Sequence, residues 1–198
     1  MATSIRKSPP GRLRIVAGKW RSRLLEIATA PGLRPTSERI RETLFNWLAP
    51  SIHGAHCLDL FAGTGALGLE ALSRGAAETV FVEKSAVAVK TLRNNIATLN
   101  ATAALVYNTD AFKYLSGTRP DKFDIVFLDP PFAADMLGDV CRVLSEASIL
   151  NVNAQIYIEE ERDSPAVELP ADWNVIKSKH AGNVRYSLLR VGDQNQRS

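Results

Sequence analysis

The 198-residue sequence has only two cysteines, no long hydrophobic run and no low-complexity segment. Two cysteines cannot supply the disulfide network of a small secreted domain, and each is most simply a small buried apolar residue. No apolar run approaches the roughly 18 residues that a membrane-spanning helix requires. Because the first residues also lack the apolar core of a signal peptide, we expect a cytoplasmic protein.

The sequence also lacks the ligand pattern of a metal protein. His53, His56 and Cys57 lie close together, but no second group of ligand residues accompanies them elsewhere in the chain. Structural zinc sites usually combine two such groups. We therefore expect no bound metal.

What the sequence does contain is an uneven distribution of charge. Its 45% hydrophobic and 23% charged residues fit one folded domain. Residues 1–41 hold ten Lys and Arg against two acids, a formal charge of +8, whereas residues 42–198 hold 14 basic and 19 acidic residues, or −5. A basic segment on an acidic body is typical of polyanion-binding proteins, although a solvated basic tail has the same composition.

The chain is predicted to divide into an extension and a main domain. Pro and Gly near the start predict that residues 1–11 form a disordered tail, and we expect the same of residues 192–198. Residues 12–50 are predicted to form an N-terminal extension that binds RNA, and residues 51–191 the main domain.

Within the extension, two elements are predicted. Apolar and basic residues alternate over residues 12–27 around a glycine, which predicts a hairpin with arginines on its exposed face. Thr36 or Ser37 can cap a helix that runs to about Leu48.

In the main domain, strand and helix patterns alternate. The predicted strands are residues 56–61, 79–83, 103–107, 123–128, 154–159, 173–179 and 184–191. The predicted helices are residues 66–73, 85–99, 110–116 and 134–147. This alternation predicts an α/β fold with a seven-stranded, mostly parallel sheet, helices on both faces and an antiparallel hairpin at one edge.

A glycine-rich turn follows the first strand of the main domain. Gly63, Gly65 and Gly68 have the spacing of a dinucleotide-binding turn between a strand and a helix. The first two can adopt positive φ and admit a ligand to the backbone, and Gly68 lets the helix pack closely on the sheet. Glu83, at the end of the next strand, can accept hydrogen bonds from both hydroxyls of a ribose.

Two details favour S-adenosylmethionine over NAD as the ligand of this turn. Asp59 lies inside the strand, where a carboxylate can approach a cationic ligand, and the turn lacks a basic residue for a pyrophosphate. Asp110 can accept from an adenine amino group, cap the following helix, or do both. The predicted cofactor-binding residues are Asp59, Phe61, Ala62, Gly63, Gly65, Glu83, Lys84, Asp110 and Ala111.

The fourth predicted strand of the main domain ends at Asp129-Pro130-Pro131-Phe132. Two prolines commonly end a strand, but an acid before them and an aromatic after them make a more specific pattern. A nucleobase amine is a poor nucleophile, and donating its N–H groups to the Asp129 carboxylate and the Pro130 carbonyl would help it attack a methyl group. The prolines stiffen these acceptors, and Phe132 offers a ring on which a flipped base can stack. We predict that all four residues are catalytic.

Together these motifs resemble the RsmD family of bacterial 16S rRNA guanine-N2 methyltransferases, over residues 12 to 191. The residues that carry the resemblance are 14–21, 32–36, 39–48, 61–74 and the Asp129–Phe132 signature of class I methyltransferases that act on base amines. The resemblance implies methyl transfer from S-adenosylmethionine to N2 of one guanine in 16S rRNA, flipped into the pocket at Asp129–Phe132. The implied partner is the small ribosomal subunit or its assembly intermediate. We expect the protein to be a monomer.

The basic extension fits the same interpretation. Its cations would neutralise phosphates, and the resemblance places Arg34, Thr36 and Arg39 beside the active site. Trp20 can stack on a base or pack against the protein. The predicted RNA-binding residues are Arg12, Arg14, Lys19, Arg21, Arg23, Arg34, Thr36 and Arg39.

Three other functions stay open at this point. An adenine-N6 methyltransferase of DNA or RNA would use the same chemistry at Asp129–Phe132. An NAD-dependent dehydrogenase would share the glycine turn. A non-catalytic RNA-binding protein could keep the fold, although the intact motifs argue against it.

Overall fold

The structure is a computed structural model that describes residues 11–28, 36–117, 122–131 and 136–192. Apart from Gly11 and Gly192, the tails predicted at the two ends of the chain lie outside the described residues. Arg34, Phe132 and the first two residues of the helix predicted at 134–147 also lie outside them.

A small antiparallel sheet opens the described chain. Strand β1 (Arg12–Arg14) pairs with β2 (Leu24–Glu26), which places Leu13 opposite Leu25. Both leucines are buried, while the two arginines of β1 are exposed. The predicted hairpin with a basic outer face is therefore confirmed.

Helix α1 spans Glu38–Leu48. Ser37 is its N-cap, because the backbone N–H of Ile40 donates to the Ser37 hydroxyl at 3.3 Å. Its apolar side, which includes Phe45, is buried as predicted. Ser37 and not Thr36 is therefore the cap, and the Thr36 hydroxyl bonds to Asp129 instead.

Strands and helices alternate through the rest of the chain, as predicted. The strands are β3 (His56–Asp59), β4 (Glu78–Val82), β5 (Ala104–Tyr107), β6 (Phe123–Leu128), β7 (Leu150–Glu161), β8 (Trp173–Ala181) and β9 (Val184–Val191). The helices are α2 (Ala66–Ser73), α3 (Ala86–Leu99), α4 (Ala111–Leu115) and α5 (Leu137–Glu146).

The seven strands form one sheet in the order β5-β4-β3-β6-β7-β9-β8. The first five strands in this order, β5, β4, β3, β6 and β7, are parallel to one another. Strand β9 runs antiparallel to both of its neighbours. The antiparallel hairpin therefore lies at one edge, as predicted. The carboxyl ends of β3 to β6 meet along a single edge of the sheet, where open α/β sheets bind their ligands.

Two hydrophobic cores lie on the two faces of the sheet. One joins α1, α2, α3 and the β1–β2 sheet to residues such as Phe81 and Phe127. The other joins α4 and α5 to residues such as Val80 and Val126. None of the helices in the described ranges is both long and apolar enough to cross a membrane.

Strand β7 begins earlier than predicted, at Leu150 instead of residue 154. Its pairing with β6 is irregular there, since Phe123 pairs with Leu150 but Ile125 pairs with Gln155. Asn153 lies in this bulge with a φ of 63°. Asparagine is uncommon in strands, so the sequence pattern concealed the start of the strand.

Candidate functional site

The glycine-rich turn lies at the carboxyl end of β3 and leads into α2. Gly63 and Gly65 have φ angles of 53° and 89°, a region that favours glycine. A Cβ atom on Gly68 would lie 2.2 Å from Cε1 of Phe81, so only glycine lets α2 pack this closely on the sheet. The predicted positive φ of Gly63 and Gly65 and the predicted close packing at Gly68 are confirmed.

Asp59, the last residue of β3, lies beneath this turn and is 2% exposed. Its Oδ2 accepts a hydrogen bond from the Gly68 N–H at 3.0 Å. Burial raises the pKa of Asp59 to about 7, the Gly68 N–H opposes that rise, and the charge of Glu83 adds to it. A ligand that carries positive charge would stabilise the ionised form of a carboxyl group in this position.

Glu83 directly follows β4, and its carboxylate lies against the glycine turn. Oε2 accepts from the Gly63 N–H at 2.9 Å, and Oε1 accepts from the Ser85 N–H at 2.7 Å. These bonds orient the carboxylate, and each oxygen keeps a second lone pair for a hydroxyl donor. Its neighbour Lys84 is exposed.

The ends of β4 and β5 are held together by Asn108. Its side-chain amide donates to the carbonyls of Glu83 and Lys84 at 2.9 and 3.1 Å. Asp110 follows, and its Oδ1 accepts from the Phe112 N–H at 2.9 Å. The predicted helix cap is therefore confirmed, at the sheet edge that also holds Glu83.

Three other predicted cofactor residues lie at the same edge. Phe61 is half-buried, and Ala62 is buried with its N–H donating to the Val82 carbonyl at 3.0 Å. Ala111, the first residue of α4, is buried. Phe61 and Ala62 follow β3, and Ala111 follows β5, so all three lie at this edge.

Asp129 directly follows β6, the neighbour of β3 on the other side. The hydroxyl of Thr36 donates to its Oδ2 at 3.1 Å. Burial raises the pKa of Asp129 well above its usual range, the charge of Glu159 raises it further, and the Thr36 hydrogen bond opposes the rise. Pro130 is buried and Pro131 is exposed.

Sequence reasoning missed Glu159 and Tyr157, which β7 places beside Asp129. Leu128 pairs with Ile158, so the next residue on each strand, Asp129 and Glu159, is adjacent. The Tyr157 hydroxyl donates to Oε1 of Glu159 at 2.6 Å, and both side chains are buried. The available signal was an acid at the end of the predicted strand 154–159, which does not by itself reveal its neighbour.

A second missed carboxylate, Glu70, joins the N-terminal extension to the main domain. It lies on α2, fully buried, and accepts from the backbone N–H groups of Val16 and Ala17 at 2.8 and 3.0 Å. It also forms ion pairs with Arg41 at 3.2 Å and Arg74 at 2.8 Å. One buried carboxylate thus fixes the extension, α1 and α2 together.

The buried guanidinium of Arg41 continues this network toward the candidate site. It donates to the carbonyl of Arg14 at 2.8 Å and to the carbonyl of Thr36 at 3.3 Å. Burial lowers the pKa of Arg41, and the charge of Glu70 opposes that effect. Arg41 therefore holds the backbone of the residue whose side chain contacts Asp129.

The predicted RNA-binding cations that lie within the described residues are exposed. The exposed ones among the described residues are Arg12, Arg14, Lys19, Arg21, Arg23 and Arg39. The backbone N–H of Lys19 donates to the carbonyl of Ser73, the last residue of α2, at 2.7 Å. Arg23 donates to the carbonyl of Thr98 near the end of α3 at 3.3 Å. Helices α2 and α3 end at the amino edge of the sheet, so this part of the extension lies away from Asp129.

Trp20 and the cysteines occupy packing positions. Trp20 is half-buried against the core, with the Lys19 ammonium 5.4 Å from its ring centroid. Cys57 and Cys141 are free and buried, as expected. The described part of the chain contains no group of three or more His, Cys, Asp or Glu residues arranged to hold a metal ion.

Comparison with known proteins decides the family. Residues 13–190 match the model of a family described as conserved hypothetical protein 95. A protein of Escherichia coli K12 named ribosomal RNA small subunit methyltransferase D is 45% identical over 189 residues, which cover 96% of this chain and 95% of that protein. The chain belongs to the RsmD family.

Other RsmD-family proteins agree in sequence and in structure. A Haemophilus influenzae protein of the same name is 43% identical over 183 residues, covering 91% of this chain and 94% of that protein. The solved structure of a putative methyltransferase from Escherichia coli, yhhF, superposes with a TM-score of 0.86 at 42% identity, covering 93% of this chain and all of that one. The predicted class I, Rossmann-like methyltransferase fold is confirmed.

Proposed function

We propose that this RsmD-family protein transfers a methyl group from S-adenosylmethionine to N2 of a specific guanine in 16S rRNA. The observation that carries the proposal is the position of Asp129. Its carboxylate lies at the end of β6, next to the strand that leads into the glycine turn, and Thr36 donates to it. The relatives named as small-subunit rRNA methyltransferases support the rRNA of the small subunit as the substrate.

The donor set at the sheet edge fits S-adenosylmethionine, which supplies an electrophilic methyl group when it is bound. Asp59 would attract its positive charge, Glu83 would accept from its ribose hydroxyls, and Asp110 would accept from its adenine amine. The backbone at Gly63 and Gly65 would lie against it. Phe61, Ala62, Lys84 and Ala111 would complete the contacts.

The residues after β6 would hold the target amine. Asp129 and the Pro130 carbonyl would accept its two N–H groups, and Pro131 would keep these acceptors rigid. Phe132 would stack on the flipped base. The nitrogen loses a proton when it is methylated, and Asp129 would accept that proton.

The extension, residues 12–50, would bind rRNA on or before assembly of the small subunit, and residues 51–191 would hold both reactants. Its exposed cations would neutralise phosphates without reading the sequence. Because Arg41 and Glu70 fix the extension to the main domain, RNA bound there would have a defined position relative to Asp129. We propose that one protein monomer suffices.

Transfer of tritium from labelled S-adenosylmethionine to small subunits tests this function. We expect incorporation into subunits that lack the modification and none into subunits that already carry it. A folded protein that labels neither substrate would refute the proposal. If the label appears on adenine N6 instead, the same chemistry serves a different base.

A further inference from the structure

An open cavity of about 710 Å³ lies at the amino edge of the sheet, the edge opposite the one that carries Asp129. The end of α1 forms one wall with Trp47, and β7, β9 and β8 contribute Gln155, Arg190 and Lys177. Cavities of this size commonly hold small ligands or parts of larger ones. The methyl transfer proposed above needs none of these lining residues. We call this space the amino-edge cavity.

Two irregularities in the strands border the amino-edge cavity. The pairing of β6 with β7 shifts between Phe123 and Ile125, and Asn153 in this bulge has a φ of 63°. The pairing of β8 with β9 shifts between Val175 and Lys177. Asn153 and Lys177 both line the cavity. Bulges often lie next to functional sites because they redirect side chains, so two of them at one cavity indicate a binding site.

Gln155 offers an unused hydrogen-bond donor at this cavity. It is 8% exposed, and its Oε1 accepts from the Ser51 hydroxyl. Among the described residues, no hydrogen bond uses the side-chain NH₂ group of Gln155. The amide is therefore fixed at one end and free to donate at the other. A poorly solvated donor of this kind gains from a ligand that brings oxygen acceptors.

The charges at the cavity favour an anionic ligand. Lys177 and Arg190 are exposed, and neither belongs to an ion pair within the part of the chain that the structure describes. One acid, Asp124, also lines the cavity. Its two oxygens already accept from the His56 N–H at 2.9 Å and the Asn151 amide at 2.7 Å. The two cations thus have no local counter-charge and can attract phosphates.

An aromatic ring lies in the same cavity as these cations. Trp47 is half-buried, and its ring stacks on that of Tyr186 with centroids 5.5 Å apart. Ile176 and Leu188 add apolar surface. A nucleotide combines a phosphate with a flat base, which matches cations beside an aromatic ring. Because the bases of a duplex are stacked on their neighbours, the cavity fits a single strand.

The basic turn of the N-terminal extension lies near the rim of this cavity. The Lys19 N–H donates to the Ser73 carbonyl at 2.7 Å, and the Gly54 N–H donates to the Gly75 carbonyl at 2.8 Å. Gly54 lines the cavity, so the turn that carries Lys19 and Arg21 is close to it. Cations that continue outside a cavity favour a polymeric anion over a free nucleotide.

We propose that the amino-edge cavity binds one unpaired nucleotide of the rRNA substrate, with Lys177 and Arg190 on phosphates and Trp47 beside the base. This inference rests on the proposed function, which makes rRNA the substrate. The nucleotide is a second contact of the RNA, separate from the target guanine. It gives the basic turn of the extension, which lies away from Asp129, a part in holding the same RNA.

One RNA molecule can occupy both edges of the sheet. Gln155 and Glu159 are four residues apart on β7, which is roughly 13 Å along a strand. Glu159 lies next to Asp129, because Leu128 and Ile158 before them are paired. The cavity therefore anchors RNA close to the site of methyl transfer without entering it.

The first test is equilibrium binding of protein-free 16S rRNA at several salt concentrations. We expect Lys177→Ala/Arg190→Ala to lower the affinity by about 10-fold and to reduce the salt slope by about two, one for each phosphate contact. Lys113→Ala/Arg142→Ala removes the same residue types from α4 and α5, on the other face of the sheet, and should bind like the wild type. Equal losses in the two double variants would overturn the proposal.

The second test locates the base. A uridine-rich oligonucleotide that carries 5-bromouridine is irradiated with the full-length protein, and mass spectrometry maps the crosslinks. We expect a crosslink at Trp47 that weakens in Lys177→Ala/Arg190→Ala and persists in Lys113→Ala/Arg142→Ala. Crosslinks confined to other residues would overturn the cavity as the site of the nucleotide.

The same variants separate this inference from the proposed function and from a protein occupant. If Lys177→Ala/Arg190→Ala binds protein-free rRNA like its control but loses affinity for assembled small subunits, the cavity holds a ribosomal protein, and the proposal is overturned. A wild type that binds rRNA through the cavity but methylates none would refute the proposed function alone. A wild type that methylates rRNA, with equal rRNA binding in both double variants, would overturn this inference alone.

Discussion

The hydroxyl of Thr36 lies 3.1 Å from Oδ2 of Asp129, although 93 positions separate the two residues. The N-terminal extension therefore supplies part of the site that the main domain carries at the end of β6. Leu13 and Leu25 of the extension share a hydrophobic core with Phe127 of β6. Extension and main domain are thus connected by both packing and hydrogen bonds.

The central prediction concerns Asp129→Ala. The variant removes the proposed acceptor of the amine, and we expect methyl transfer to fall by at least about 100-fold while cofactor affinity stays the same. Single-turnover rates and calorimetry with S-adenosylmethionine measure the two quantities. Asp139→Ala, which removes a 67% exposed carboxylate on α5, is the matched control and should behave like the wild type. Normal turnover in Asp129→Ala would refute its role.

A second prediction concerns the buried carboxylate of Glu70. Glu70→Ala leaves Arg41 buried without its partner, and we expect the free energy of unfolding to fall by about 3–5 kcal/mol. Chemical denaturation measures this loss. Glu146→Ala removes an exposed partner of Arg142 and should cost no more than about 0.5 kcal/mol. Equal losses in the two variants would show that Glu70 does not hold the extension in place.

A third prediction compares two glycines with positive φ. A Cβ atom on Gly18, whose φ is +84°, would lie 1.9 Å from the Ser73 carbonyl oxygen, whereas one on Gly182, whose φ is +59°, meets nothing within 4 Å. We expect Gly182→Ala to cost about 1 kcal/mol for its backbone conformation alone. Gly18→Ala should cost more and make the extension sensitive to limited proteolysis. Equal effects would contradict the packing of the extension on α2.

A fourth prediction follows from the raised pKa of Asp59. A carboxyl group whose pKa is higher in the folded than in the unfolded protein favours folding at low pH, and this contribution is lost as pH rises. For Asp59 the loss falls between its usual pKa of 3.8 and about 7. We expect the stability of the wild type to fall relative to Asp59→Asn between pH 4 and pH 8, by roughly 1 kcal/mol or more. Parallel stability curves in chemical denaturation would contradict this.

A fifth prediction concerns the exposed cations of the extension. Arg21→Ala should weaken RNA binding modestly and reduce its dependence on salt, without changing affinity for S-adenosylmethionine. Arg142→Ala removes an exposed cation from α5 and is the control for net charge. Binding at several salt concentrations measures the effect. A loss that does not depend on salt would indicate disturbed packing instead of a lost phosphate contact.

Local motifs predicted most of the fold and the residues of the candidate site that lie directly after strands. Hydrophobic periodicity predicted every element of the sheet, because alternating strands and helices leave a strong pattern in the chain. The glycine turn, Glu83 and Asp129 were found because each lies directly after a strand. Their predicted roles in binding and catalysis stay predictions.

The contacts that depend on distant parts of the chain were not predictable. Glu159 lies beside Asp129 only because β6 and β7 pair in one particular register, with a bulge at its start. Glu70 looked like an ordinary helix acid, yet packing of the extension buries it completely. The same packing places the turn around Lys19 at the amino edge of the sheet. The charge of the segment did not predict this position.

The most direct measurement is the identity of the methylated nucleoside. Small subunits that lack the modification are incubated with the protein and S-adenosylmethionine, and their RNA is digested and analysed by mass spectrometry. We predict N2-methylguanosine at one position of 16S rRNA with the wild type, and none with Asp129→Ala. N6-methyladenosine, or no methylated nucleoside from a folded wild-type protein, would contradict the account.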